Sequence, residues 1–130
     1  MPTWQKVLVV AAGSAVGGAL RAMLVWFTAA RVTSDFPLGV MLVNIIGCFV
    51  FGVAIRYGVQ SGSMSDGTRL LITTGICGGF TTFSAFGMDI VEGLESGSTT
   101  MVTTYVVASI VLGVGAMLLG ISLGRSLGGR

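Results

Sequence analysis

The chain has 130 residues, 53% of them hydrophobic and 9% charged, with a mean hydropathy of +0.94. An ordinary soluble domain carries roughly 25% charged residues, so these proportions exclude a water-soluble globular protein. The net charge of +2 comes from 7 basic and 5 acidic side chains scattered singly, which excludes the clustered basic surface of a nucleic-acid binder. Histidine is absent, so imidazole acid–base chemistry, imidazole zinc sites and Ser–His or Cys–His nucleophiles are excluded, and no enzymatic activity is expected.

A spanning helix needs about 20 mainly apolar residues, and the pattern predicts an all-α integral membrane protein with four spans, approximately 4–30, 37–57, 70–95 and 101–123, in one transmembrane domain. The first runs from Trp4 to Ala30, with Lys6 ahead of VLVVAAGSAVGGA, and is too long for a signal peptide. Arg21 lies deep within it. An arginine at a helix centre costs about 2.5 to 3.5 kcal/mol on insertion scales, so it either snorkels to the far interface or forms an electropositive vestibule for an anion.

The second span opens at Pro37, a suitable first-turn residue, and continues as PLGVMLVNIIGCFVFGVAI. Asn44 within it offers two amide hydrogens and cannot ionise; it serves either an interhelical hydrogen bond or an anion that must not be trapped. Cys48 here and Cys77 in the third span both lie in apolar runs, where a thiol behaves as a small hydrophobe, and both are expected to be reduced.

The third span, LLITTGICGGFTTFSAFGMDIV, is the unusual one. Gly78 and Gly79 weaken a helix, and the hydroxyls of Thr81, Thr82 and Ser84 can satisfy freed backbone groups, so a mid-membrane break is expected beside the alternative of a continuous, closely packed helix. Carbonyls freed by a break suit a cation such as Na⁺. Phe83 and Phe86, three apart, share a face after a break, and Phe80 joins them only in an unbroken helix. Their rings either pack or present weakly positive edges to a small anion. Asp89, Glu92 and Glu95 follow at helical spacings and read as a solvated helix end; carboxylates facing an anion path would repel its cargo unless paired.

The fourth span, from Met101 to Leu123, places Tyr105 and Ser109 on one face as two further hydroxyl donors. Both termini then share a side with the linker between spans two and three. That side carries Lys6, Arg56, Arg69, Arg125 and Arg130 against Arg31 on the other, which favours termini in the cytoplasm. Gly13 with Gly17, and Gly120 with Gly124, have GxxxG spacing and read as packing signals. No internal repeat is present; a transport path between inverted repeats would need a dimer to supply the second half.

GGFTTFSAF following VNIIGCFVFG, with an arginine in GGALRAML of span one, resembles the Fluc (CrcB) family of microbial fluoride channels along all four spans. The resemblance implies an antiparallel dual-topology homodimer in the bacterial inner membrane, with two pores that export fluoride and confer fluoride resistance. It implies that Asn44 is the pore asparagine, that Phe83 and Phe86 line the pores, and that Arg21 is the basic residue near the mouth. Gly78 and Thr81 would give backbone carbonyls to a structural Na⁺ shared by two subunits, while Ser84, Tyr105 and Ser109 would belong to a hydroxyl track. Two positions depart from the family pattern: Ala85 stands where FSTF is typical, and Asp89 where glutamate is frequent. The charge bias between loops is also larger than random insertion tolerates, since that needs nearly balanced loops, which keeps a paired gene product of opposite orientation in view.

Two rival functions remain at this point. A small multidrug transporter, four-helical and of similar length, needs an intramembrane carboxylate, and spans one and two contain none. A small structural membrane protein would use the glycine motifs only for assembly.

Overall fold

The computed structural model describes residues 1–62 and 64–128; Arg130, counted above among the basic residues of one side, lies outside them. Helix α1 covers Thr3–Arg31 and α2 covers Leu38–Ser61. Pro37 sits just outside α2, at its N-cap, rather than within the first turn as expected, and Gly62 ends the helix at a positive φ of 58°. The 29 residues of α1 extend about 43 Å at 1.5 Å per residue, more than the roughly 30 Å of bilayer hydrocarbon.

The third apolar region, Asp66–Glu95, is composite. It opens with α3 (Asp66–Leu70), where the Ser65 hydroxyl caps Thr68 N–H at 3.1 Å. A π-helical stretch, Leu71–Cys77, follows, and then α4 (Gly78–Phe80). Thr81 and Thr82 are extended, at φ −75°, ψ 156° and φ −150°, ψ 121°, and α5 runs over Phe83–Glu95. The expected weak point was Gly78–Gly79, yet Gly78 is helical at φ −63°, ψ −38° and the extended pair lies three residues later. Extended backbone suits β-branched threonine, and Thr82 also makes a good N-cap for the next helix. Helix α6, Thr99–Leu127, completes four apolar segments long enough to cross a membrane.

Glycine decides which helices meet. A methyl on Gly120 would strike the Phe49 carbonyl of α2, and one on Gly124 would come within 2.9 Å of the Val53 carbonyl, so α6 lies directly on α2. On the other side, a methyl on Gly13 would meet Leu71 O at 2.7 Å and Gly75 Cα at 2.8 Å, and one on Gly17 would strike Ile76 O. Both GxxxG pairs therefore pack within this chain, α1 against the third region and α6 against α2. Val43 and Tyr105 are the largest fully enclosed side chains, and large apolar residues such as Trp26, Leu118 and Leu119 face outward, as lipid contact requires.

Candidate functional site

The Thr81–Thr82 junction interrupts the helical hydrogen-bond ladder, so each of its polar backbone groups needs a partner. Thr81 N–H still donates to Cys77 O at 2.9 Å. Thr81 C=O accepts from Arg21 Nη1 at 3.1 Å. Thr82 N–H donates to Asn44 Oδ1 at 2.8 Å, and Asn44 Nδ2 donates back to Thr82 O at 3.1 Å. The side-chain amide of Asn44 thus pairs with Thr82 as a neighbouring strand would, and the polarity of the backbone fixes which way the amide points.

Hydroxyls complete the arrangement. Thr81 Oγ1 donates to Cys77 O at 2.9 Å, and Thr82 Oγ1 accepts from Ala85 N–H at 3.2 Å at the start of α5. Ser84 Oγ lies 3.2 Å from Thr82 Oγ1. Arg21 does not reach for the far interface; its half-buried guanidinium turns inward to the junction. One guanidinium and one amide, from α1 and α2, therefore hold two extended residues that neither helix could hold alone.

Beside the junction lies a groove of about 320 Å³ lined by Asn44, Cys48, Thr82, Phe83, Phe86 and Ser109. Four of the six side chains expected along a pore, Asn44, Phe83, Phe86 and Ser109, come together here, whereas Ser84 and Tyr105 do not line the groove. Ser109 Oγ is buried and has no hydrogen-bond partner among the described residues. Asn44 commits one amide hydrogen to Thr82 and retains the second. Phe83 and Phe86 have centroids 5.9 Å apart at 41°, and Phe83 is 84% exposed. The groove is open along one side.

Tyr105 is placed differently. Its ring is fully buried, 5.2 Å from Phe86 and 5.7 Å edge-on from Phe36 of the α1–α2 connection. Its hydroxyl donates to Asp89 Oδ2 at 2.7 Å and is not among the groove-lining groups. Asp89 is accordingly half-buried and paired, unlike the solvated helix end expected for it, whereas Glu92 and Glu95 are exposed. Gly78 is exposed, and the Thr82 N–H that an uninterrupted helix would give to Gly78 O goes to Asn44. Cys77 is buried and Cys48 half-buried, and both are free thiols.

The roles of the Thr82 backbone and of Cys48 in the groove wall were not read from sequence. A Thr one residue ahead of an apolar helical run is an N-cap signal that could have located the start of α5.

Residues 8–121 match the family described as CrcB-like protein, Camphor Resistance (CrcB). The chain is 40% identical over 121 residues to a protein of Granulibacter bethesdensis, covering 92% of this chain and 94% of that one. It is 38% identical over 122 residues to one of Roseiflexus, covering 94% and 98%, and 36% identical over 124 residues to one of Chloroflexus aurantiacus, covering 95% and 98%. All three carry the name fluoride-specific ion channel FluC. With the match running through all four spans and across the Thr81–Thr82 junction, this chain belongs to the CrcB-like family.

Proposed function

We infer that this chain forms a fluoride-selective channel in a bacterial plasma membrane, exporting the ion and giving fluoride resistance. The observation that carries the reading is the groove, whose available donors are all neutral: the second amide hydrogen of Asn44, the partnerless Ser109 hydroxyl and the ring edges of Phe83 and Phe86. Fluoride is small and strongly hydrated, so passage requires successive donors that replace water without holding the ion too tightly. Ser84 shares its hydroxyl with Thr82, and Tyr105 gives its proton to Asp89, so these two stand behind Asn44 and Ser109 as donors. Arg21 brings positive charge beside the path, a vestibule role combined with its bond to Thr81 O.

A groove open on one side does not conduct until a second surface closes it. A second copy in antiparallel orientation does this, supplies the inverted repeat that one chain lacks, and yields two pores. Phe83 and Gly78 are exposed in the single chain, so both are free to be covered by such a copy. In that assembly the Thr81–Thr82 break lies at membrane depth, enclosed by protein, as irregular backbone there must be.

The residues at the break fit a monovalent cation. Gly78 O has lost its helical partner, and Thr81 O retains one lone pair beside the Arg21 hydrogen bond. No cluster of three or more Cys, Asp or Glu exists among the described residues to neutralise a divalent ion. Gly78 and Thr81 carbonyls of two subunits would hold Na⁺, which would supply fixed positive charge between the two paths.

The multidrug-transporter reading requires a carboxylate facing the path. Asp89, beside the aromatic cluster, is tied to the Tyr105 hydroxyl, and the groove is lined by no Asp or Glu among the described residues. Fluoride release from liposomes containing the purified protein tests the inference: rapid emptying supports it, and proton-coupled uptake of a cationic drug without fluoride release would replace it.

A further inference from the structure

Basic side chains predominate at one end of the bundle, although Arg31 lies at the other. Lys6, Asp66 and Arg69 line one recess together with Ile55, whose neighbour Arg56 touches the Gly124 position beside Arg125. That end therefore gathers four basic side chains and one acid. The opposite end holds Asp35, Asp89 and Glu92 around another recess.

The recess at the basic end has a volume of about 410 Å³ and two kinds of wall. Lys6 of α1 and Arg69 of α3 supply its basic groups, Phe51 and Ile55 of α2 form an apolar face, and Leu70, Thr73 and Thr74 also line the recess. Phe51 lies one helical turn inward from Ile55, so the apolar face runs about 6 Å away from the rim towards the membrane interior. Arg69 is 46% exposed and meets Asp66 at 3.5 Å, but Asp66 is 91% exposed, and an ion pair this open to water holds weakly. A phosphate, which accepts from a guanidinium in bidentate fashion, competes effectively for Arg69.

We propose that this recess binds the headgroup of an anionic phospholipid, with its phosphate between Lys6 and Arg69 and the first carbons of an acyl chain along Ile55 and Phe51. Lys6 and Arg69 outweigh Asp66, and the net positive charge selects an anionic headgroup over a zwitterionic one. The apolar wall selects a lipid over free phosphate, because a soluble anion would leave Phe51 and Ile55 uncovered. Basic side chains at a membrane surface attract such lipids additively.

The test is native mass spectrometry of the purified full chain in detergent, titrated with phosphatidylglycerol or phosphatidylcholine. One phosphatidylglycerol per chain is expected to bind in preference to phosphatidylcholine. The double variant Lys6→Gln/Arg69→Gln should weaken that binding about thirtyfold, since each cation near the surface contributes about fivefold. Asp66→Asn should tighten it about threefold, a gain that misfolding does not produce. Arg125→Gln, at the same end but outside the recess, should leave it unchanged. Equal binding of the two lipids, displacement of phosphatidylglycerol by equimolar inorganic phosphate, or a loss in Arg125→Gln as large as in the double variant would each overturn the proposal.

Discussion

The α2–α6 pair and the α1–third-region pair are both built on glycine, yet they use it to different ends. In the first, Gly52, Gly120 and Gly124 bring two uninterrupted helices into backbone contact, and the helical ladder satisfies the backbone without help. In the second, Gly13 and Gly17 press α1 onto a π-helical stretch and onto α4, so that Arg21, one turn further along α1, reaches the Thr81 carbonyl. Close approach is the whole purpose of the first interface. In the second it is the means by which a side chain is delivered to backbone that the helix has abandoned. Asn44 is the link between the two, because it rides on the closely packed α2–α6 pair while bonding both polar groups of Thr82.

The sharpest break in this comparison is expected from α6. Gly120→Ala should cost at least about 3 kcal/mol, the upper part of the overpacking range, because the added methyl meets the backbone carbonyl of Phe49 and not a movable side chain. Gly115→Ala, five residues earlier with nothing within 4 Å of its Cβ, should be neutral or slightly stabilising by helix propensity. Thermal unfolding in detergent separates the two; equal midpoints would show that α2 and α6 do not meet as described.

Removing the link is expected to cost somewhat less. Asn44→Ala leaves Thr82 N–H and C=O without their partner, and an orphaned buried polar group costs about 1–3 kcal/mol. A measured loss below about 0.6 kcal/mol, the average for a membrane hydrogen bond, would mean that the junction finds other partners easily.

The aromatic variants should separate stability from conduction. Phe83→Ile removes a ring that is 84% exposed in the single chain, whereas Phe86→Ile removes one packed on Tyr105 at 5.2 Å. Phe86→Ile should therefore cost about 1 kcal/mol more, yet both should lower fluoride flux, since Ile retains apolar bulk without a positive ring edge. If either conducts normally, its ring is a packing element. Tyr105→Phe should have the smallest effect on flux, because its proton already belongs to Asp89. A loss as large as that in Phe83→Ile would place the Tyr105 hydroxyl on the path.

The four apolar segments were legible because hydropathy and length are local properties, and the GxxxG pairs were legible as packing faces. Spacing on one helix names a face but not what covers it, so the pairing of Gly17 with Ile76 and of Gly120 with Phe49 needed the structure. An interruption in the third region was open to sequence reasoning, but glycine drew attention three residues too early. Gly79 is needed for proximity, since a methyl there would lie 2.5 Å from Ser14 O, and it sits within helix α4. Asn44 was recognised as a donor with two possible uses, and the geometry assigns each amide hydrogen separately. The Asp89–Tyr105 bond joins α5 to α6 across sixteen residues, beyond the reach of any helical period.

The central claim, that neutral donors beside the Thr81–Thr82 junction carry fluoride, is tested most directly by recording fluoride and chloride release from liposomes bearing either the wild-type chain or Asn44→Asp. A carboxylate at this position accepts from Thr82 N–H but has no proton to give to Thr82 O or to an anion, and its charge repels the ion. The account predicts that wild-type vesicles empty their fluoride and retain chloride, and that Asn44→Asp vesicles retain both although the variant still elutes as a folded species. Wild-type release of the two anions at equal rates, or unimpaired fluoride release through Asn44→Asp, would contradict it.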